Sequence, residues 1–524
     1  MLLLDHIIAS AVGGCRVWFP DAGEAAPIPL GELIEEAVAL APWIEAEASG
    51  GAVGIPMTND RGCLRAVLGA WLAGVPVASL PVPGRGGSAE RYLEGLRAAI
   101  ATSAVSIVIA DTPVARLLGA HGVDATAFDE VPVRPGEPLR AVPVTFVQHT
   151  SGTTAAPRGL RFDDGALLGN VEAVLRRLEV GPEAGSCSWL PLSHDMGFVG
   201  MTLASLVGAH RRADGVVTIA DPRRFVTDPA HWLRLCEATG STITAAPNFA
   251  LDLVVRTDRR RRIEGDLSSL RSCIVGGELI SASTLEAFDA ILRRCGAPSA
   301  AIAPAYGLAE LGVAASLSGP AERWRTIRVA GTAGLDEAVG CGRPLDGYDA
   351  RVEDGELWLR GPSIARSAAD DTTLASPSGW LRTHDRAVLV DGEVVALGRL
   401  DDAIVVRGRT IHAAHIEAAV VGPGLRPGSA LAFEVGGGIG VIVEPADATA
   451  SPADPTHLVE QAHRRIRREL GIAPRVLALV PRGTVPKTSS GKGQRHRARA
   501  LVQAGDHCPL AQLGEPETEE PPWS

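Results

Sequence analysis

From the N-terminus to about residue 320 the sequence alternates short β-rich runs with helical patterns. "GAVGIPM" leads to "CLRAVLGAWLAG" and then "VPVASLPVP"; a helical stretch from Ala89 to Ile100 precedes "VSIVIAD". Farther along come "VVTIAD", the helix "DPAHWLRLCEAT", "STITAAPN", "LRSCIVGGE", the helix "SASTLEAFDAILRRC" and "AIAPAYG". Alternation of this kind predicts parallel sheets covered by helices, since each parallel pairing needs a crossover that folds back over the sheet. From about Gly340 the pattern changes: "YDARVEDGELWLRG" and "RAVLVDGEVVALGRL" read as antiparallel strands joined by Asp-Gly turns. After Arg399 comes a compact set: "AIVVRG", a helix from Ala413 to Val421, "ALAFEVGGGIGVIVEP", the basic helix "HLVEQAHRRIRREL" and "RVLALVP". The expected fold class is α/β. A large N-terminal domain over 1–399 has helix-covered β-sheets plus a β-subdomain; a small C-terminal α/β domain spans 400–510, and a disordered tail 511–524.

The bulk numbers narrow the function. At 524 residues the chain exceeds what one core usually supports. A net charge of −11 argues against a general nucleic-acid binder, and the run Arg259–Arg262 reads as a solvated polar loop. No apolar run reaches the roughly 20 residues of a membrane span. "MLLLDHIIASAVGG" lacks a basic leader and reads as a first amphipathic helix. The cysteines at 15, 63, 187, 236, 273, 295, 341 and 508 form no CxxC pair, which fits a reducing cytoplasm better than a zinc site or disulfide framework. The acidic, Pro-rich "GEPETEEPPWS" reads as the disordered tail.

The strand pattern "VPVTFVQ" runs straight into "HTSGTTAAPRGLRF", residues 149–162. Backbone N–H groups of a Gly-rich turn, with Ser and Thr hydroxyls, make an anion-binding concavity. Thr150, Ser151, Thr153 and Thr154 offer hydroxyls, Gly152 and Gly159 backbone freedom, and Arg158 charge. The GxxxxGK[ST] spacing of a Walker loop is absent, so by itself the run is either a polar turn or a phosphate cradle.

The order of "TSGTTAAPRG", "AYGLAE", "GWLRTHD", "GRLDDAIVVRG" and "PKTSSGK" resembles the adenylate-forming superfamily, from about residue 25 to 500. Within it the chain looks most like the fatty acyl-AMP ligases and acyl-CoA synthetases, on "WLPLSHDMGFVG" (189–200) and "APNFALDLVVR" (246–256). The stretch Gly319–Val339 sits where the acyl-AMP ligase branch carries an insertion, which looks short here. The resemblance implies ATP-dependent activation of a carboxylic acid to acyl-AMP with release of pyrophosphate, and transfer to a carrier-protein phosphopantetheine or CoA thiol. A complete acyl-CoA ligase is the alternative, and a non-adenylating or binding-only member of the fold the third reading.

The same resemblance assigns roles. Thr150, Ser151, Gly152, Thr153, Thr154 and Arg158 would hold the β- and γ-phosphates, with Arg158 in place of the usual Lys and Ala155 in place of a Gly. Tyr306 and Gly307 would meet adenine, with the backbone of Gly276, Gly277 and Glu278 at its rim. Glu310 would bind Mg²⁺, which takes few carboxylates alongside phosphate oxygens. Asp385 would accept both ribose hydroxyls; His384, where the family has Gly, would either touch the nucleotide or point to solvent. Arg399 would contact the nucleotide, and Asp401 would be the hinge about which the small domain moves. Lys492 would bridge the substrate carboxylate and α-phosphate. His194 would orient the carboxylate or line the pocket, with Phe198, Met201, Leu203 and Phe249 as pocket walls. No Asp opens "APNFALDL", so the expected substrate is a hydrophobic acid rather than an α-amino acid. An Ala-, Arg-, Gly- and Pro-rich composition and a ligase without a fused carrier suggest bacterial secondary metabolism, with an acyl-carrier protein or thiolating enzyme as partner.

Overall fold

The computed structural model describes residues 1–83, 89–135, 141–150, 158–180, 185–209, 215–329, 337–406, 409–446, 454–487 and 493–514. Two sheets with parallel centres carry the expected alternation. The first has nine strands in the order Arg343–Pro344, Ser316–Leu317, Ile302–Tyr306, Ser272–Val275, Ile243–Ala246, Ser186–Ser188, Val216–Ile219, Arg16–Trp18 and Ile28–Pro29. From Ile302–Tyr306 through Arg16–Trp18 every pairing is parallel. The second has seven strands; Thr145–Thr150, Val77–Leu80, Ala52–Pro56, Val105–Ala110 and Thr126–Ala127 are parallel, and Arg158–Asp163 returns antiparallel to Thr145–Thr150. Ala52–Pro56 and Val77–Leu80 are buried at each residue, as strands covered on both faces must be.

Local sequence sets the boundaries. Asp60 caps the helix Arg61–Leu72 by accepting from Cys63 N at 2.9 Å, and the helix delivers Trp71, whose indole N–H donates to Thr145 O at 3.2 Å. Asn59 stitches the two sheets together. Its Nδ2 donates to Leu190 O (2.9 Å) and Ala220 O (2.8 Å), and its Oδ1 accepts from Leu192 N (3.0 Å).

Beyond these sheets, Asp349–Glu353, Glu356–Arg360, Leu381–Val390 and Glu393–Arg399 make an antiparallel sheet. Both predicted Asp-Gly turns are there. Asp354 and Gly355 have φ of 51° and 79°, Asp391 and Gly392 52° and 80°, the left-handed pair that a two-residue hairpin of matching twist requires. The last sheet orders Leu425–Val435, Gly438–Pro445, Val476–Leu479 and Ala511–Leu513. Its apolar clusters draw only on residues from Ile404 onward.

Two expectations are corrected. Arg259 and Arg260 are not loop residues: they end the helix Asn248–Arg260, where basic side chains complement the carbonyl end of the dipole. The tail does not begin at 511, because Ala511–Leu513 pairs antiparallel with Leu477–Leu479; residues 515–524 lie outside the described residues. Among the described residues no helix is long and apolar enough to cross a membrane, and all eight cysteines are unpaired.

Arg495 joins separate pieces of the C-terminal unit. Its guanidinium donates to Glu417 through Nε (2.9 Å) and Nη2 (2.8 Å) and to Asp402 through Nη1 (2.6 Å). Removing it strands two carboxylates, and taking one partner from such a cluster costs about 3 kcal/mol. Arg495→Ala is expected to lower stability by about that amount, with amide protection lost first after residue 400, read by urea denaturation with hydrogen exchange.

Candidate functional site

Several of the residues singled out from the sequence lie at the carboxyl ends of parallel strands, where open α/β sheets bind ligands. Thr150 ends Thr145–Thr150, Gly276–Glu278 follow Ser272–Val275, and Gly307–Glu310 follow Ile302–Tyr306. His194 lies in the turn after Ser186–Ser188; its N–H donates to Pro191 O (3.0 Å) and its carbonyl accepts from Phe198 N (2.8 Å). The buried Gln148 amide donates to Ser193 O at 2.8 Å, joining this turn to the strand that leads into the polar run.

Thr150 pairs with the exposed Arg158 across an antiparallel ladder. Ser151, Gly152, Thr153, Thr154 and Ala155 lie outside the described residues, as does Lys492. This ladder is held by His149, which sequence reasoning passed over. Its Nδ1 lies 2.7 Å from Ser79 O and its Nε2 2.9 Å from Ser103 Oγ. Only a protonated Nδ1 can meet a carbonyl, so the neutral ring accepts from Ser103 on Nε2. Burial holds His149 below the usual histidine range, against the hydrogen bond to Ser79.

Tyr306, Asp385 and Arg399 form one cluster. The Tyr306 hydroxyl donates to Asp385 Oδ2 at 2.5 Å, and Arg399 Nε lies 3.4 Å from Asp385 Oδ1. Asp385 and Arg399 are register partners on neighbouring strands, whereas Tyr306 comes from the parallel sheet. Burial, then the Asp385 charge, pushes the Tyr306 hydroxyl well above its ordinary range, so it stays protonated and a donor. Two anchored oxygens with lone pairs to spare can still accept from a diol.

Gly307 is required by close approach: a Cβ there would sit 1.8 Å from Val313 O. The turn it permits carries Glu310 on the short helix Ala309–Leu311. Gly277 has φ +80° beside Met196 Sδ, and Glu278 caps the helix Asn248–Arg260 by accepting from Phe249 N at 2.5 Å. Among the described residues no group of three metal-binding side chains occurs. Phe198, Leu203 and Met201 are core residues, Phe198 packing 4.8 Å from Phe146 and Met201 also lining an apolar cavity of about 20 Å³ with Val174, Leu178, Gly200 and Ala204. Phe249 is half-buried and edge-on to Trp189.

His384 takes a backbone conformation that Gly adopts most easily. It has φ 58°, the left-handed conformation in which Gly is the ordinary choice. The half-exposed ring sets Nδ1 3.7 Å from Glu356 Oε1, which accepts from the His384 N–H at 2.9 Å. Glu356, 5% exposed, also takes Arg382 Nε at 2.7 Å. Asp401 lies exposed on the single turn Leu400–Asp402.

The family described as AMP-binding enzyme matches residues 30–367. The long-chain-fatty-acid–AMP ligase FadD32 of Mycolicibacterium smegmatis is 28% identical over 472 residues, 72% of this chain and 72% of that protein. A chain from studies of fatty acyl-adenylate ligases of E. coli and L. pneumophila superposes with a TM-score of 0.85 at 24% identity, covering 96% of this chain and 98% of that one. A fatty acyl-adenylate ligase of L. pneumophila in complex with acyl adenylate and pyrophosphate gives 0.69 at 21%, covering 98% of each. At these identities the two structures show a shared fold.

Two measurements check this geometry. A histidine held neutral by burial leaves the folded state with fewer protons, so its contribution is full above the unfolded value near 6.5 and is lost as pH falls below it. His149→Gln should flatten the fall in Tm between about pH 7 and pH 5; an unchanged slope refutes the assignment. His384→Gly should unfold within about 1 kcal/mol of wild type, whereas His384→Val should lose about 1–2 kcal/mol in urea denaturation.

Proposed function

This chain belongs to the AMP-binding enzyme family, and we propose that it activates a hydrophobic carboxylic acid with ATP, forming acyl-AMP and releasing pyrophosphate. The observation that carries this reading is the Tyr306–Asp385–Arg399 cluster beside the Glu310 turn. It offers a diol acceptor and a lone carboxylate where parallel strands end.

The reaction brings two anions together, so neutralisation and in-line placement are the main tasks. Asp385, oriented from below by Tyr306 and from the side by Arg399, receives the ribose hydroxyls. Gly276–Glu278 and Gly307 border the base. Thr150–Thr154 and Arg158 hold the β- and γ-phosphates and then the leaving pyrophosphate. Arg158 keeps the positive charge of the Lys it replaces and grips phosphate with two N–H groups. Glu310 holds Mg²⁺, which when bound neutralises phosphate charge. His194 lies on the side from which the carboxylate enters. Lys492, on a Gly/Ser-rich segment of the proposed 400–510 unit, meets the charge that builds between carboxylate and α-phosphate. The acyl group then passes from the adenylate to a phosphopantetheine thiol, of a carrier protein or of CoA, forming a thioester and releasing AMP. The fatty acyl-AMP ligase likeness and the missing Asp at Ala246 support an apolar acid.

The test incubates the protein with ATP, Mg²⁺ and a panel of acids, with and without CoA, and measures pyrophosphate, acyl-AMP and acyl-CoA. Pyrophosphate with acyl-AMP is expected with at least one apolar acid. Acyl-CoA would make the chain a complete acyl-CoA ligase, and no pyrophosphate with any acid would sink the reading. Lys492→Ala should lower the adenylation rate by about 10²–10³-fold while ATP affinity stays near wild type by calorimetry.

A further inference from the structure

The turn that carries Glu310 closes on itself. Ala315 N donates to Tyr306 O at 2.9 Å, Leu311 N to Leu308 O at 3.0 Å and Gly312 N to Ala309 O at 3.0 Å. Its interior is filled by a side chain from elsewhere in the fold. Asn170 lies on the helix Asp164–Arg177 and is fully buried. Its Oδ1 accepts from Val313 N (3.1 Å) and Ala314 N (3.3 Å), and its Nδ2 donates to Ala314 O (2.8 Å) and to the Tyr348 hydroxyl (2.8 Å). One amide thus stands in for a strand partner of the turn.

The network continues with a fixed direction. Ser363 Oγ donates to Leu311 O at 2.7 Å, so its oxygen must accept from the Tyr348 hydroxyl 2.5 Å away. Burial pushes the Tyr348 hydroxyl above its ordinary range, which keeps it a donor. The relay runs from Asn170 to Tyr348 to Ser363 to the carbonyl of Leu311, the residue after Glu310. Glu310's own carbonyl accepts from Ala365 N at 2.8 Å. Asn170, Tyr348 and Ser363 are all at most 5% exposed, so none reaches a substrate. They can act on the chemistry only through the turn.

We infer that Asn170, with the Tyr348–Ser363 relay, is a positioning residue that fixes the Glu310 turn in the shape that presents its carboxylate to nucleotide phosphates and their metal. The inference rests on the role of Glu310 proposed above. Partners that orient a metal-binding side chain typically change affinity or activity by about 10–100-fold when removed.

The test uses the full chain with Asn170→Ala and Tyr348→Phe, each alone and combined with Glu310→Gln. Without ligands, hydrogen exchange in the peptide spanning 307–315 should speed up about tenfold in Asn170→Ala and less in Tyr348→Phe, with peptides of the C-terminal unit unchanged. In ATP–pyrophosphate exchange, Asn170→Ala should lower kcat about tenfold at an unchanged KM for the acid. Combined with Glu310→Gln it should be no slower than Glu310→Gln alone, since groups that act through one another are not additive. Unchanged exchange over 307–315, or a double variant slowed by the product of the single effects, overturns the inference. If Asn170→Ala does not fold, Tyr348→Phe, which removes one hydroxyl, decides. A wild type without pyrophosphate release would sink the proposed reaction, and the exchange measurement would still decide the positioning contact.

Discussion

The hydrogen bond from Tyr306 to Asp385 carries more of this molecule than its single hydroxyl suggests. Tyr306 ends a parallel strand, and Asp385 lies in an antiparallel sheet formed much later in the chain. Neither element alone makes a site. Together they set a buried donor beneath a carboxylate, with Arg399 beside it on the neighbouring strand. A charge-assisted bond of this kind is worth more than a neutral one, and more still where burial excludes water. The apolar cluster that includes Tyr306 also holds Leu357, Leu359, Leu381 and Val394 from the antiparallel sheet. Packing brings the two sheets together, and the hydrogen bond fixes how their edges meet.

Much of this was legible in the sequence, for physical reasons. Parallel strands buried on both faces leave short apolar runs between helical patterns, and the alternation up to residue 320 gave the sheets. Asp-Gly pairs can adopt left-handed geometry at both turn positions, so the hairpins at Asp354 and Asp391 were readable from two letters each. Tyr306, Asp385 and Arg399 were assigned to one nucleotide by resemblance, and the fold brings them into contact. What stayed hidden was mostly the polar interior. Asn170 occupies a position of the apolar stripe of its helix, with Leu167, Val171 and Val174, all buried. A polar residue on such a stripe is the only local sign of it, and its partners Val313, Ala314 and Tyr348 are more than a hundred residues away. His149 and Asn59 are alike: each binds backbone that the sequence cannot show to be near.

His384 and Arg158, where the resemblance expects Gly and Lys, differ in kind. His384 is a backbone matter, since its φ of 58° explains why Gly suits the position and its N–H on Glu356 shows how a larger residue is held there. Arg158 is an electrostatic matter, since the charge is kept and stands opposite Thr150 across the ladder.

The segment that joins the antiparallel sheet to the C-terminal unit is fastened on both sides by ion pairs to different bodies. Arg399 pairs with Asp385 in the sheet that precedes it. Three residues on, Asp402 pairs with Arg495, which also grips Glu417 on the helix Ala413–Val420. Glu417 in turn accepts from Ala432 N in the C-terminal sheet. Turning the chain at Arg399 would pull on the site, and turning it at Asp402 would break a largely buried double ion pair. Between them stand Leu400 and Asp401, with Asp401 exposed. Any rotation of the C-terminal unit that keeps both clamps must be taken up in the backbone of those two residues. Asp401, which the resemblance marks as the hinge, is one of those two residues.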